Sequence, residues 1–154
     1  MAWLWIVLGL VAVMGSITWI LPSPTERRQG ARRMTALKLG MQVRVLSVDD
    51  WVKERLDTVR LAQYLMWTDK TLRRASLWRV PGRGEPWVAP PGSRGWDLLS
   101  GEFEGLLKSL PDDIVGVGAE NGCVWVALDD ARAIIEPGTI KSVLDEILAF
   151  LVRP

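Results

Sequence analysis

Hydrophobic residues fill the first stretch of the chain, where positions 2–21 contain no charge. At about 1.5 Å per residue, a helix of this length covers about 30 Å, the depth of a bilayer's hydrocarbon core. Trp3 and Trp5 lie near one end of the run and Trp19 near the other, as expected for the two headgroup interfaces. The pattern therefore predicts a transmembrane helix over 2–21.

The flanks of this run bear on whether it is retained and how it is oriented. A cleaved signal peptide is the alternative, but no basic residue precedes the run and no small-x-small site follows it. Because short basic flanks stay in the cytoplasm, we expect a single-pass membrane protein with its N-terminus outside and its C-terminal domain cytoplasmic. The basic residues that would set this topology and attract anionic lipid are Arg27, Arg28, Arg32, Arg33 and Lys38, opposed by Glu26 alone.

The periodicity that follows predicts a mixture of helices and strands. Ser23, Pro24 and Glu26 form a capping-box start for a basic juxtamembrane helix within 22–40, which Gly40 ends. A polar turn at 68–70 is expected to join two of the strands. Strands are predicted at 41–45, 61–67 and 76–80, and a short helix at 49–57.

The second half of the chain contains a loop, two helices and a hairpin. Positions 81–95 hold four prolines and four glycines and are predicted to be a loop, followed by a helix over 96–110. Asn121-Gly122 between two apolar runs is a strong hairpin signal. Apolar residues recur at helical spacing from Ile140 to Leu151. We therefore expect an α+β domain at 41–154, with a small antiparallel sheet packed by two or three helices.

Composition excludes several classes of site. The chain has one cysteine, Cys123, and no histidine, so it cannot form an intrachain disulfide, a usual zinc site or a histidine-based nucleophilic triad. Nucleic-acid binding is not expected, because the basic residues cluster beside the apolar run and the rest of the chain is mildly acidic. No metal and no cofactor is predicted.

The N-terminal part resembles the YajC family, small accessory subunits of the bacterial Sec translocase. The resemblance covers about 2–46: one apolar span, a basic helix, then Leu-x-x-Gly and an alternating valine strand. It departs at 47–50, where Ser-Val-Asp-Asp stands in place of the Gly-Gly turn of YajC strands. It implies a single-span topology in the bacterial inner membrane and a role near preprotein translocation. The matching residues are Arg27, Arg28, Arg32, Arg33, Leu37, Lys38, Gly40, Val43 and Val45.

Candidate catalytic chemistry is sparse. Acidic pairs at 49–50, 112–113 and 129–130 fall at predicted turns or caps, where solvated carboxylates are favoured over a cation or acid–base site. Gly116, Gly118 and Gly122 lack the spacing of a dinucleotide fingerprint, and a hairpin follows them. Cys123 is predicted to be an apolar strand residue, because no histidine is available to activate it. No catalytic residue is assigned.

Two sets of residues are candidates for contact with partners. Gly9, Ala12 and Ser16 share one helical face, where small residues allow a second helix to approach; the alternative is that such residues are common in membrane helices. Trp87 and Trp96, on or beside the loop, are candidate anchors for a protein partner. The favoured alternative is that the tryptophans fill the core of the sheet, and it applies to Trp67, Trp78, Trp87, Trp96 and Trp125.

Three functions are open at this point. The leading hypothesis is a membrane-anchored accessory or interaction protein, associated with the lipid bilayer and a membrane-protein partner, near preprotein translocation. The second is an anchored enzyme with its site near 81–95. The third is a peripheral scaffold that binds anionic lipid through its arginines.

Overall fold

The computed structural model describes residues 2–20, 22–48, 50–56, 60–72, 74–79, 87–92, 101–120 and 122–152. Over these residues the chain forms helices and strands in the following order. They are α1 (Ala2–Ile20), α2 (Pro24–Lys38), β1 (Gln42–Ser47), α3 (Asp50–Leu56), β2 (Arg60–Trp67), β3 (Ala75–Trp78), α4 (Gly101–Ser109), β4 (Ile114–Glu120), β5 (Cys123–Leu128) and α5 (Pro137–Leu151).

The strands form one antiparallel sheet in the order β1-β2-β5-β4-β3. The predicted hairpin is confirmed as β4–β5, and Gly122 in its turn has φ of +76°. The expected succession of β2 and β3 is also present, but β5 and β4 lie between them in the sheet. The α+β fold class with an antiparallel sheet is therefore confirmed.

Helices cover one face of the sheet, where the larger core lies. α2 and α5 pack against each other, and α5 also packs on β5. Phe103 and Leu107 of α4 join the same core. The apolar spacing predicted for the last helix is confirmed, because its inward residues are Ile140, Val143, Leu144 and Ile147.

The opposite face of the sheet holds a second, smaller core. Short α3 contributes Val52, which packs with residues of the central strands. Because β5 lies at the centre with side chains on both faces, all six of its residues are buried. This explains why its sequence is a continuous apolar run and does not alternate.

Helix α2 begins and ends as its sequence predicts. The Glu26 N–H donates to Ser23 Oγ at 3.2 Å, and the Ser23 N–H donates to Glu26 Oε2 at 2.6 Å. These bonds, the backbone one first, lower the pKa of Glu26 below its usual range. After Leu39, Gly40 takes φ of +82°. Ala36 is fully buried, so α2 contributes to the core of the domain.

Helix α1 differs from the sequence prediction in one central respect. Its described side chains, at 3–15, are all exposed. In the part of the chain that the structure describes, none of the helices combines the length and apolarity needed to cross a bilayer. The predicted transmembrane helix at 2–21 is therefore wrong, and the single-pass inner-membrane assignment loses its support.

Candidate functional site

A groove crosses the second face of the sheet, with a volume of about 620 Å³. This volume falls within the roughly 300–1,000 Å³ of small-ligand sites. Val48 and Val52 line the groove near the β1 edge of the sheet, and Pro90 and Pro91 line it near the β3 edge. Its floor is formed by the central strands. We call it the second-face groove.

Two tryptophans form the aromatic part of this floor. Trp78 and Trp125 contact each other with ring centroids 5.6 Å apart and planes tilted by 44°. Each ring lies against a glycine of β4: a Cβ on Gly116 would lie 2.5 Å from Trp78 Cζ3, and a Cβ on Gly118 would overlap the ring of Trp125. The glycines that a sequence search could mistake for a phosphate loop therefore make room for indole rings.

Gln63 of β2 is the unusual polar residue of the groove. It is 5% exposed and stands opposite Arg44 on one neighbouring strand and Ala127 on the other. No hydrogen bond joins its carboxamide to any residue within the described ranges. Sequence analysis missed it, although Leu61, Gln63 and Leu65 alternate on one face and place a polar side chain in an apolar series.

The wall at the β3 edge is fixed by hydrogen bonds and stacking. Val88 and Trp78 exchange two backbone hydrogen bonds of 2.9 Å. The Trp87 indole N–H donates to the Leu107 carbonyl at 3.1 Å, and the Arg79 guanidinium lies 4.8 Å from the Trp87 ring centroid. Trp87, a candidate partner anchor, is thus half-buried and held within the domain. Trp96, the other candidate anchor, lies outside the described residues.

The charged rim of the groove is balanced. Arg74 and Glu120 pair at 3.8 Å, with side chains 86% and 32% exposed. Cys123 lies nearby on the same sheet face and is 2% exposed. Burial first, and then the charge of Glu120, raises the pKa of its thiol. A buried thiol that keeps its proton is a poor nucleophile.

A buried charged cluster lies on the other face of the sheet. Arg32 Nη1 donates to the Asp130 backbone carbonyl and to Asp130 Oδ1, each at 3.0 Å, and Nη2 donates to the Ala133 carbonyl. Arg33 Nε donates to Asp130 Oδ2 at 2.8 Å, and Tyr64 Oη donates to Oδ1 at 2.9 Å. The side chains of Arg32 and Asp130 are only 7% and 5% exposed. The cluster fastens α2 to the sheet.

Tyr64 gives this cluster a signature at alkaline pH. Burial, then the charge of Asp130 and the hydrogen bond to it, raise the pKa of Tyr64 well above its usual value of about 10. The folded protein keeps a phenol proton that the unfolded chain loses above about pH 10, so this contribution to stability is complete below that pH and falls as pH rises. We expect Tyr64→Phe to flatten the alkaline decline of the urea midpoint. An identical decline in wild type and variant would contradict this.

Acidic residues line a smaller cavity of about 300 Å³. Asp113 accepts backbone N–H bonds from Ile134 and Ile135 at 2.8 and 2.7 Å, and Asp129 accepts one from Ala131 at 3.1 Å. These carboxylates therefore fix a loop. Within the described residues, no group of three or more acidic or cysteine side chains is placed to hold a metal ion.

The remaining predicted site residues are spread over α1 and α2. Arg27 and Arg28 are exposed near the start of α2, whereas Arg32 is buried and Arg33 partly exposed in the charged cluster. Gly9 and Ala12 lie on exposed α1, and the side chain of Ser16 is outside the described part. The four arginines therefore do not form one surface. Their predicted role with lipid stays a prediction.

The chain was compared with protein families, curated proteins and solved structures. No family model, no curated protein and no solved structure matches the chain. The resemblance of 2–46 to YajC is neither supported nor refuted by this result and stays a prediction.

Proposed function

We propose that this chain is an accessory interaction protein without catalytic activity of its own, attached to a partner protein through α1. The observation that carries the proposal is the exposure of α1. Its large apolar side chains are more than half exposed, including Trp3 at 77%, Trp5 at 75% and Val11 at 64%. Because 2–46 resembles the YajC family, we include an association with preprotein translocation.

The apolar surface of α1 extends around the whole helix. Consecutive residues from Trp3 to Leu8 are all exposed, and with about 3.6 residues per turn they cover every side. A helix that is apolar all round is normally covered by other structure. Because burying one Leu, Ile or Val side chain contributes about 1.5–3 kcal/mol, several such contacts would hold a partner firmly. We therefore assign α1 as the attachment element.

The partner surface that fits α1 is itself apolar and helical. Among the described residues, nothing lies within 4 Å of a Cβ placed on Gly9, so a partner helix can approach the backbone of α1 there. Contact of this kind is driven by packing of apolar side chains. Gly9 and its neighbours would lie at the centre of the contact, as the small-residue face predicts.

A matched pair of substitutions tests the attachment. Leu8 on α1 and Leu37 on α2 are similarly exposed, at 58% and 53%. We expect Leu8→Lys to lower the amount of crosslinked partner at least about tenfold, corresponding to about 1.4 kcal/mol. Leu37→Lys should leave it unchanged. Crosslinked partners would be identified and quantified by mass spectrometry for each full-length variant; equal yields from wild type and Leu8→Lys would contradict the proposal.

Exposed Arg27 and Arg28 favour a second candidate, a scaffold on an anionic lipid surface. Both side chains lie near the start of α2, a few residues after α1. A basic pair near a membrane surface gains about 1 kcal/mol per charge from anionic headgroups. Cosedimentation of the full chain with phosphatidylglycerol vesicles would decide it. Loss of binding in Arg27→Glu/Arg28→Glu supports this candidate, and unchanged binding argues against it.

A further inference from the structure

We propose that the second-face groove binds an extended, uncharged peptide segment of a partner protein. An apolar side chain of the segment rests on Trp78 and Trp125, and the backbone N–H and C=O of one of its residues pair with Gln63. This goes beyond the proposed function, because it concerns the groove and is independent of α1. It names a ligand class for a site on the α+β domain.

Gln63 supplies the first argument. A buried carboxamide without a partner is unfavourable, and an apolar side chain of the same size would fill the position without that cost. The carboxamide has both an N–H donor and a carbonyl acceptor. In an extended segment the backbone N–H and C=O of one residue point to the same side, so a single residue of the ligand can satisfy both ends of the Gln63 carboxamide together. Within the described part of the chain, Gln63 is 95% buried yet forms no such pair.

The aromatic floor supplies the second argument. The rings of Trp78 and Trp125 pack closely against β4, because Gly116 and Gly118 have no Cβ atoms that would keep the rings away. Rings that are held in place lose little entropy when a ligand binds on them. Aromatic surfaces bind apolar side chains well, and Pro90 and Pro91 add an apolar wall next to them. The two tryptophans are 7% and 5% exposed, so an apolar side chain of the segment would contact the small part of each ring that faces the groove.

Charge selects among ligands that carry an apolar group and an amide. The described lining contains one cation and one anion, Arg74 and Glu120, which pair with each other at 3.8 Å. A nucleotide or a phospholipid headgroup would bring several negative charges, and the one described cation beside the groove that is outside this ion pair, Arg44 opposite Gln63, lies over Trp67 with its guanidinium 5.8 Å from the ring centroid. A peptide backbone is neutral and offers donors and acceptors to Ser47 and Ser76 along the groove. The groove volume of about 620 Å³ accommodates a short segment of a partner chain.

Two small probes separate the amide from the apolar group. N-acetyl-tryptophanamide contains an indole ring and two peptide-like amides, whereas 3-methylindole contains the ring alone. Each would be titrated into the ¹⁵N-labelled full chain, with detection of the Gln63 carboxamide and the Trp78 and Trp125 indole signals. We expect saturable shifts of all three signals with the amide probe, at a concentration at least about tenfold lower than with 3-methylindole.

Gln63→Met keeps the length of the side chain and removes the amide, and Gln42→Met makes the same change on an exposed position of β1. We expect Gln63→Met to lose the preference for the amide probe and Gln42→Met to retain it. Gln63→Leu provides a second variant if the methionine side chain disturbs the fold. Absence of saturable shifts in wild type, or an undiminished preference in a folded Gln63 variant, would overturn the proposal.

The two proposals can fail separately. Leu8→Lys on α1 should leave groove binding of N-acetyl-tryptophanamide unchanged, because α1 contributes no described residue to the groove. A chain that loses its crosslinked partner in this variant but still binds the probe supports both proposals. A wild-type chain that binds the probe and yields no partner sensitive to Leu8→Lys contradicts only the attachment through α1.

Discussion

Replacing Asp130 by alanine is expected to lower the free energy of unfolding by about 3–5 kcal/mol, the usual cost of removing one partner from a buried ion pair. The carboxylate accepts hydrogen bonds from Arg32, Arg33 and Tyr64 at distances of 2.8–3.0 Å. Without it, the buried guanidinium of Arg32 retains backbone carbonyls but no counter-charge. The measurement is urea denaturation of the full chain, followed by tryptophan fluorescence.

A surface aspartate provides the control for this result. Asp145 pairs with Lys141 at 2.8 Å on α5, and its side chain is 53% exposed. Surface pairs of this kind contribute at most about 1 kcal/mol, so Asp145→Ala should have a small effect. If Asp130→Ala and Asp145→Ala lower stability by similar amounts, the charged cluster does not fasten α2 to the sheet.

A double substitution separates the effect of leaving one buried charge unpaired from the effect of changing side-chain packing. Replacing a buried ion pair by apolar side chains is often neutral, because no unpaired charge is left behind. Asp130→Leu combined with Arg32→Met should therefore be more stable than Asp130→Leu alone. A double variant that is less stable than both single variants would show that the two residues act independently.

Helix ends, helix periodicity and the hairpin turn were predicted correctly from the sequence, because each of these features depends on a few neighbouring residues. The capping box of Ser23 and Glu26, the stop at Gly40 and the apolar spacing of α5 all act within one or two helical turns. The Asn-Gly signal is of the same kind. Its neighbours β4 and β5 pair through a turn that contains Gly122.

Contacts between distant residues could not be predicted in the same way. Asp130 was interpreted as a solvated turn carboxylate, and its sequence neighbours give no sign of burial. It is buried because α2 docks on the sheet and brings Arg32, 98 positions earlier in the chain, to its carboxylate. The strand order has the same origin, since β5 and β4 insert between β2 and β3 only after the chain has folded back.

The groove illustrates both cases. The positions of Gly116 and Gly118 were visible in the sequence, but their role depends on Trp78 and Trp125 from two other strands. Gln63 was visible as a polar residue in an alternating apolar series. Its importance appears only when β1, α3 and the proline wall enclose the groove around it. Period-2 alternation predicts which face a residue occupies and leaves open whether that face is covered.

Replacing Gly118 by alanine is expected to lower the free energy of unfolding by about 3 kcal/mol, near the upper end for overpacked cores. The added Cβ would lie 2.5 Å from the Ala75 carbonyl oxygen and would overlap the Trp125 ring. Backbone atoms of the β3–β4 ladder cannot move aside without loss of their hydrogen bonds. The sheet or the ring must therefore shift, and urea denaturation would measure the cost.

Gly105 on α4 is the control, because alanine at this position is expected to stabilise the protein. An added Cβ at Gly105 meets no atom of the described residues within 4 Å, so Gly105→Ala should raise stability by about 0.5–1 kcal/mol through helix propensity. In a Trp125→Leu background, the cost of Gly118→Ala should fall, because one of the two overlapping groups is removed. An unchanged cost in that background would show that the indole ring does not depend on the space left by Gly118. A reduced cost means that glycine and tryptophan together shape the floor of the groove.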